Sequence, residues 1–178
     1  RSVELAMVHN VRTYVRSSFD DPANPHAGTL ICNEEEILEQ QVVTGIAYSK
    51  DEAQISLRDV ADRPGVAASI FEPLAASSVV VDMIVQNVSE DGKSTDITFT
   101  LPTADYDRAM AVLEKLKAEI GIRAIQGTRN VAKVSAIGIG MRSHAGVAAT
   151  AFKALAEKGI NIRAITTSEI KFSVLIDE

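Results

Sequence analysis

The pattern of apolar positions along the chain repeats itself after 81 residues, which is the step from Gly65 to Gly146. The tetrapeptide at residues 65–68 recurs word for word at residues 146–149. Three larger apolar residues match at the same offset: Phe71, Leu74 and Ile84 correspond to Phe152, Leu155 and Ile165. Ordered apolar matches around a shared tetrapeptide predict two copies of one structural unit.

Both copies predict the same order of elements. Each begins with a strand, continues through a loop that ends in glycine, and enters a helix with one apolar face. A hairpin of two strands follows, and in the first copy a second helix and a fourth strand come after it. The predicted elements are, in the first copy, strand 53–60, helix 66–76, strands 79–88 and 95–101, helix 104–120 and strand 122–125 and, in the second copy, strand 132–139, helix 147–158 and strands 160–167 and 170–176.

The order of elements in the first copy is βαββαβ, which folds as an antiparallel sheet with both helices on one face. The predicted fold class is therefore α+β, with two ferredoxin-like units. The second copy ends after three strands and one helix, but residues 42–48 are a strand candidate without a counterpart in the first copy. We predict that this strand completes the second sheet. The first unit, residues 53–129, is then inserted within the second, residues 42–52 and 130–178.

Residues 1–33 form a block that is too small to hold a core of its own. Their pattern predicts a short helix, an alternating strand at 11–16, a stretch rich in turn residues and a second strand at 28–32. Residues 34–41 are polar and predict a linker. The run of three glutamates at its start favours a solvated helix start over a metal site.

Composition and charge argue against several functions. A net charge of −6, the absence of Trp and an aromatic content of 4% argue against a nucleic-acid binder, which needs a basic face or stacking platforms. No apolar run approaches the roughly 18 residues that a membrane span needs. The single cysteine, Cys32, excludes an internal disulfide and fits a reducing cytoplasm. Because the sequence begins without Met and ends at a predicted strand, we expect a piece of a longer protein.

Candidate chemistry is concentrated in the loop before the first helix and in the strand that follows this helix. An amino-acid ligand needs N–H donors for its carboxylate, best found at a helix N-terminus, and an oxygen acceptor for its ammonium group. Gly65 permits close approach to the amides of residues 66–68, and Asp62 can face the ammonium group. The alternative, that Asp62 only caps the helix, stays open. The side chains of Gln86 and Asn87 could bind a hydroxyl group or cap a strand edge.

Other constellations do not support a site. Glycines at 138 and 140 follow a strand, but Ser143 stands where a dinucleotide-binding loop requires its third glycine. The three histidines are scattered without the spacing of metal ligands. Cys32 lies in an apolar strand, which favours a core position over a nucleophile.

Units of this shape, with a Pro-Gly loop between the first strand and the first helix, resemble ACT domains. Arg63, Pro64 and Gly65 form that loop in the first copy, and the second copy has Ala145 in place of the proline. Longer segments resemble more specifically the tandem ACT region of lysine-pathway aspartate kinases: residues 81–89, 95–100, 140–144 and 161–170. The first block is similar to the end of the amino-acid-kinase domain that precedes this region, so the resemblance covers essentially the whole chain.

The resemblance implies a parent enzyme that phosphorylates the side-chain carboxylate of aspartate with ATP and Mg²⁺. This is the first step toward lysine, threonine, methionine and diaminopimelate. The kinase domain would lie upstream and bind ATP and Mg²⁺, so this chain would hold no cofactor and catalyse nothing alone. It would bind threonine, lysine or both for feedback inhibition, as a cytoplasmic homodimer paired through its ACT domains.

The resemblance also implies roles residue by residue. Gln86 would contact threonine, with Asn161 reaching over from the second unit. Glu169 would attract the side-chain ammonium group of lysine, although the residues alone fit a solvated charge at a strand end equally well. The implied threonine contacts are Asp62, Pro64, Gly65, Val66, Ala67, Ala68, Gln86, Asn161 and Ile162. The implied lysine contacts are Ser89, Met141, Ser143, His144, Ser168 and Glu169.

Two other functions are weighed against this one. The chain could be an ACT-type amino-acid sensor attached to a different enzyme, but the first block argues against that assignment. A catalytically active fragment would need a phosphate loop or a cluster of catalytic groups, and the sequence contains neither.

Overall fold

The structure of the chain is a computed structural model that describes residues 2–19, 21, 23, 28–32, 43–90, 92–138 and 146–178. Its internal contacts divide the chain into two units, Arg1–Val42 and Val43–Glu178. Each unit contains its own β-sheet, with two strands in the first and six in the second.

The first unit consists of helix α1 (Ser2–Val8) and two short antiparallel strands, β1 (Thr13–Val15) and β2 (Thr29–Ile31). Helix α1 buries none of its residues. The helix and the two strands that the sequence predicted within residues 1–33 are therefore present. The linker predicted at residues 34–41 lies outside the described residues.

The second unit is built on one antiparallel sheet with the strand order β4-β5-β3-β6-β8-β7. A single turn of 3₁₀-helix at Thr103–Asp105 leads into α3. The elements are β3 (Gly45–Ala61), α2 (Val66–Ala76), β4 (Ile84–Val88), β5 (Ser94–Leu101), α3 (Tyr106–Ile120), β6 (Ile122–Ile137), α4 (Val147–Glu157), β7 (Ile162–Thr167) and β8 (Lys171–Asp177).

Two long strands run through the centre of this sheet. The sequence predicted separate strands at 42–48 and 53–60, but β3 is one strand of 17 residues. The strands predicted at 122–125 and 132–139 are likewise parts of β6. The polar residues between the predicted pieces do not interrupt the ladder, because the two long strands pair with each other along their length. Register shifts near Glu52 accommodate the irregular pairing in the middle.

The two ends of these long strands belong to different sets of four strands. Residues 53–61 of β3 pair with β5 on one side and with residues 122–128 of β6 on the other. Residues 45–49 pair with residues 133–137 of β6, whose other side pairs with β8. The strand predicted at 42–48 therefore pairs with the part of β6 that belongs to the second copy, within one continuous sheet rather than in a separate second sheet.

Helices α2 and α3 cover the core of the first copy. The apolar face predicted for α2 is confirmed, since Val66, Ile70 and Leu74 are buried. The Phe71 ring meets the Phe99 ring edge to face, with centroids 5.3 Å apart. The other buried residues of this core are Ala53, Ile55, Leu57, Val60, Val79, Ile97, Leu101, Ala109, Leu113, Ile120 and Ile122.

The strand predicted at 79–88 was too long, because β4 begins only at Ile84. The preceding apolar residues serve another purpose. Val79 is buried in the core, and its N–H group donates to the carbonyl oxygen of Leu74 at the end of α2. Apolar residues that the pattern had assigned to a strand therefore pack against the core at the end of α2 instead.

Candidate functional site

The loop before α2 leads into a helix start without a side-chain cap. Gly65 is the N-cap residue, with φ of 89° and ψ of −5°, and no side chain forms a capping hydrogen bond there. Asp62 therefore does not cap α2, which removes the alternative that the sequence left open. The N–H groups of Ala67 and Ala68 lie in the first turn, where an α-helix supplies no internal acceptor for them.

The loop and Gln86 lie at the same end of the sheet. Val88, Thr95 and Val60 form one row across β4, β5 and β3. Asp62 follows Val60 by two residues, and Gln86 precedes Val88 by two. Gln86 is exposed on the edge strand β4. The structure thus places the amides of α2, a carboxylate and an amide side chain at one end of the first copy.

Hydrogen bonds tie this end of the sheet together. The N–H group of Asp62 donates to the carbonyl oxygen of Lys93 at 2.9 Å. In the β4–β5 hairpin, the N–H group of Ser94 donates to Oγ of Ser89 at 3.1 Å, and the N–H group of Ser89 donates to the Ser94 carbonyl oxygen at 2.8 Å. Ser89, which the resemblance assigned to lysine, therefore closes this hairpin.

Asn161 and Ile162 lie at the other edge of the sheet. Ile162 begins β7, and Asn161 directly precedes it and is exposed. Among the described residues, no hydrogen bond joins Asn161 to Gln86. The starts of both edge strands do share a small core cluster, which contains Met83 and against which Ala164 packs. Within one chain, the structure does not join the two amide side chains in one site.

The described members of the predicted lysine set lie in two different hairpins. Ser168 and Glu169 are exposed in the turn between β7 and β8, whereas Ser89 belongs to the β4–β5 hairpin. The N–H group of Ser168 donates to the carbonyl oxygen of Lys171 at 2.7 Å, which orders the turn. The other predicted members lie outside the described residues: Met141, Ser143 and His144.

A charged network that the sequence analysis did not single out joins the two copies. Nζ of Lys133 on β6 donates to Oε1 of Glu52 on β3 at 2.7 Å and to Oδ2 of Asp82 at 2.5 Å. The side chains of Lys133 and Glu52 are 19% and 8% exposed. Burial by itself lowers the pKa of Lys133, but the hydrogen bonds to Asp82 and Glu52 outweigh burial and raise this pKa above its usual value. A lone lysine within the apolar run 131–137 was the available signal.

The remaining constellations stay without a site. In the part of the chain that the structure describes, no group of three or more His, Cys, Asp or Glu side chains could hold a metal ion. Cys32 follows β2 and is half-buried. No helix within the described residues is long and apolar enough to cross a membrane.

One protein-family model matches residues of both copies. The model of the ACT domain family aligns with residues 46–116 and 134–178. These stretches contain α2, α4 and both hairpins, and together they exceed half of the chain.

The chain belongs to the ACT domain family.

Known relatives of these ACT domains are aspartate kinases. An aspartate kinase of Pseudomonas putida is 50% identical over all of this chain, which spans 42% of that relative. A chain in the crystal structure of aspartokinase α and β subunits shares 51% sequence identity with this chain, with a TM-score of 0.71. The match covers 76% of this chain and 88% of the chain in that structure. The ligand-free regulatory subunit of aspartate kinase from Thermus thermophilus is 39% identical, with a TM-score of 0.72 and coverages of 77% and 89%. The ACT domains of this chain thus group with the regulatory regions of aspartate kinases.

Proposed function

We propose that the chain is the amino-acid-sensing region of an aspartate kinase, which transfers a phosphoryl group from ATP to the side-chain carboxylate of aspartate. The observation that carries the proposal is the start of α2, which no side chain caps, at the same end of the sheet as Gln86. Backbone donors for a carboxylate and a side-chain amide for a hydroxyl group are what threonine requires. ATP and Mg²⁺ would bind to the kinase domain, which is the partner that this region controls.

The proposed threonine site uses the chemistry of the loop before α2. The threonine carboxylate accepts from the amides of Ala67 and Ala68, because the Val66 N–H group already donates to the carbonyl oxygen of Arg63 at 3.2 Å. The ammonium group of threonine faces Asp62. Its hydroxyl group binds the amide of Gln86. Asn161 and Ile162 complete the site from the other subunit of the homodimer, because within one chain they lie at the opposite edge of the sheet.

The proposed lysine site involves the turn after β7. The carboxylate of Glu169 attracts the ammonium group of the lysine side chain, and Ser168 supplies a polar neighbour. Met141, Ser143 and His144, together with Ser89, are assigned to this site by the resemblance alone. Both effectors would act by favouring one arrangement of paired ACT domains over another in the cytoplasmic homodimer.

The proposed domain boundaries follow the repeat. Residues 1–33 are the end of the amino-acid-kinase domain and 34–41 the linker, while 53–129 form the first ACT domain. The second ACT domain consists of 42–52 and 130–178, so that the first is inserted within it. The pairing of residues 45–49 with the end of β6 supports this division.

Titration calorimetry of the chain with threonine tests the first site. We expect binding at millimolar concentration or tighter, and a loss of about fivefold to tenfold in affinity for Gln86→Ala, the cost of one hydrogen bond to the ligand. Asn87→Ala is the matched control, because successive residues of a strand point to opposite faces. Equal affinities of the wild type and Gln86→Ala for threonine would remove the role of Gln86.

Titration with lysine tests the second site and separates the two effectors. Glu169→Gln should weaken lysine binding about tenfold and leave threonine binding unchanged, since it removes one charge-assisted hydrogen bond. Glu157→Gln, at the exposed end of α4, is the control for the loss of a negative charge. Sedimentation equilibrium measures the dimer, and a chain that stays monomeric with both effectors would overturn the shared threonine site.

A further inference from the structure

A polar cavity lies on the face of the sheet that points away from α2 and α3. Ile55 and Leu57 of β3 are buried in the core beneath the helices, so the alternating residues Gln54 and Arg58 face the other way. The cavity has a volume of about 110 Å³, several times the space of one water molecule. The side chains around it that matter here are Gln54, Arg58, Gln126, Thr128 and Arg163. None of these residues belongs to the proposed effector sites.

Two arginines, one from each copy, are held in this cavity by the same pattern of bonds. Nε of Arg58 donates to Oε1 of Gln126 at 3.3 Å, and its Nη1 donates to Oδ2 of Asp96 at 2.7 Å. In the second copy, Nε of Arg163 donates to Oε1 of Gln54 at 2.8 Å. Its Nη1 donates to Oδ1 of Asp177 at 2.6 Å. Each guanidinium group is therefore fixed by one glutamine and one carboxylate.

These bonds consume acceptors and leave donors. The Oε1 atoms of Gln54 and Gln126 each accept from an arginine, so each amide retains its NH₂ group as a donor. Nη2 of Arg58 and Nη2 of Arg163 form no hydrogen bond with any other described residue. Oγ1 of Thr128 accepts from the Asn130 N–H group at 3.3 Å, which leaves its hydroxyl hydrogen available.

The carboxylates beside the cavity hold the two arginines in place and leave no excess of positive charge. Asp96 accepts from the Asp59 N–H group at 2.8 Å and from Arg58, and these bonds lower the pKa of Asp96 below its usual value. Asp96 therefore stays ionised and pins the guanidinium group of Arg58. A pre-organised guanidinium group loses little conformational entropy when it binds a further oxyanion. Because each arginine is already neutralised by a carboxylate, the affinity for an anion is expected to be modest.

We propose that this cavity is a binding site for a tetrahedral oxyanion of the phosphate type. The five remaining donor groups line one cavity and come from three strands, β3, β6 and β7, so several of them can bond to the oxygens of one tetrahedral anion. An anion held there bonds to Arg58 in the first copy and to Arg163 in the second. Its binding therefore also stabilises the contact between the copies.

The test is a titration of the 178-residue chain with inorganic phosphate, followed by ¹H–¹⁵N correlation spectra. The backbone amides of Gly127 and Thr128, which line the cavity, should shift and saturate at millimolar phosphate. Arg58→Gln and Arg163→Gln should each weaken this binding about tenfold. The control is Arg123→Gln, since Arg123 also pairs with an aspartate, Asp59, but does not line the cavity. That variant should change the affinity less than twofold.

Further variants separate a built site from general attraction to positive charge. Arg163→Lys keeps the charge but loses the planar fork, so it should weaken phosphate binding several-fold. If Arg58→Gln or Arg163→Gln does not fold, as judged by circular dichroism, Thr128→Val removes one hydroxyl donor and should weaken binding about threefold to fivefold.

ADP serves as a second probe beside inorganic phosphate. Tighter binding of ADP, with the same loss on Arg163→Gln, would support the site and identify the phosphoryl group of a larger molecule as its ligand. Tighter binding of inorganic phosphate would support a free anion. Absence of saturable shifts at Gly127 and Thr128 with both probes would overturn the proposal, as would an equal loss of affinity in Arg123→Gln.

Discussion

The two copies share a sequence pattern and local geometry, but they differ in how completely their apolar residues are buried. The rings of Phe71 and Phe99 in the first copy and those of Phe152 and Phe172 in the second meet in the same way, with centroids 5.3 Å apart and an angle of 72°. Helix α2 nevertheless buries three apolar residues, whereas α4 buries none completely. A matched apolar pattern therefore gives the same local fold without giving the same burial.

The cause of this difference is the number of helices above each set of strands. In the first copy, α3 packs beside α2 and closes the core from a second side, with Ala109, Leu113 and Ile120 buried. In the described residues of the second copy, α4 covers its strands alone. The difference teaches that complete burial of an amphipathic helix requires neighbouring elements on more than one side of its apolar face.

Truncation of matched leucines should give the largest contrast between the copies. Leu74 is 1% exposed, and Leu74→Ala should lower the free energy of unfolding by about 2–5 kcal/mol. Leu155, its counterpart in α4, is only half-buried, so Leu155→Ala should cost about 1–2 kcal/mol. Urea unfolding followed by circular dichroism measures both values. Equal losses would mean that the second helix is covered as well as the first.

Removal of the lysine that joins the copies should have the next largest effect. Lys133→Met leaves Glu52 buried without its partner, and we expect a loss of about 1–3 kcal/mol, which is reduced from the cost of a fully buried pair because Asp82 is half exposed. Lys50→Met is the control, since Lys50 and Glu178 form an exposed pair worth about 0.5 kcal/mol or less.

The pH dependence of Lys133→Met has a definite sign. Because folding raises the pKa of Lys133, its contribution is fully present below the ordinary value of 10.5 and is lost as the pH rises through the higher value of the folded state. The difference in unfolding free energy between wild type and Lys133→Met should therefore be constant at neutral pH and shrink only above about pH 10.5. A difference that shrank already between pH 6 and 8 would contradict this assignment.

Substitution of the two N-cap glycines should show where the copies are alike. Gly65 and Gly146 have φ of 89° and 105°, and a Cβ atom at either position would meet nothing within 4 Å. The cost of Gly65→Ala and Gly146→Ala is therefore conformational alone, about 1–2 kcal/mol in both. Gly45→Ala is the control, because Gly45 has equally open space and no positive φ. Unequal costs in thermal unfolding would show that the two loops differ in strain.

The smallest expected contrast concerns the two aspartates that hold the arginines. Asp96 has a side chain that is 37% exposed and also accepts a backbone hydrogen bond, so Asp96→Asn should cost about 1 kcal/mol at pH 7. Asp177 is 61% exposed, and Asp177→Asn should cost about 0.5 kcal/mol or less. Chemical denaturation of both variants in the same buffer measures the contrast.

The effect of Asp96→Asn should also depend on pH in a definite direction. The lowered pKa of Asp96 means that its contribution is fully present above the ordinary value of 3.8 and is lost as the pH falls through the lower value of the folded state. The cost of the substitution should therefore diminish below about pH 3.8. A cost that was the same at pH 2.5 and pH 7 would remove the assigned charge interaction.

Much of the local structure was predictable because it depends on periodicity and on single residues. The bounds of α2 agree with the prediction, since Gly65 marks the start of the helix and the apolar residues from Val66 onward mark the face that packs against the core. The helix at 104–120 was correct except for its first turn, which is 3₁₀. Whether Asp62 caps α2 could be decided only from the geometry of the helix start. Asp62 lies three positions before Gly65, and the sequence does not show which of the two residues is the N-cap.

The sequence by itself determined the duplication and most of the order of elements, because these depend on residue patterns along the chain, and the resemblance of particular motifs to ACT domains indicated the family. The tertiary structure alone decided that β3 and β6 are continuous strands, and that Lys133 meets Glu52 and Asp82. It also decided that Arg58 and Arg163 share one cavity. The physical reason is that these contacts join residues far apart in sequence, and their distances depend on the register and twist of the whole sheet.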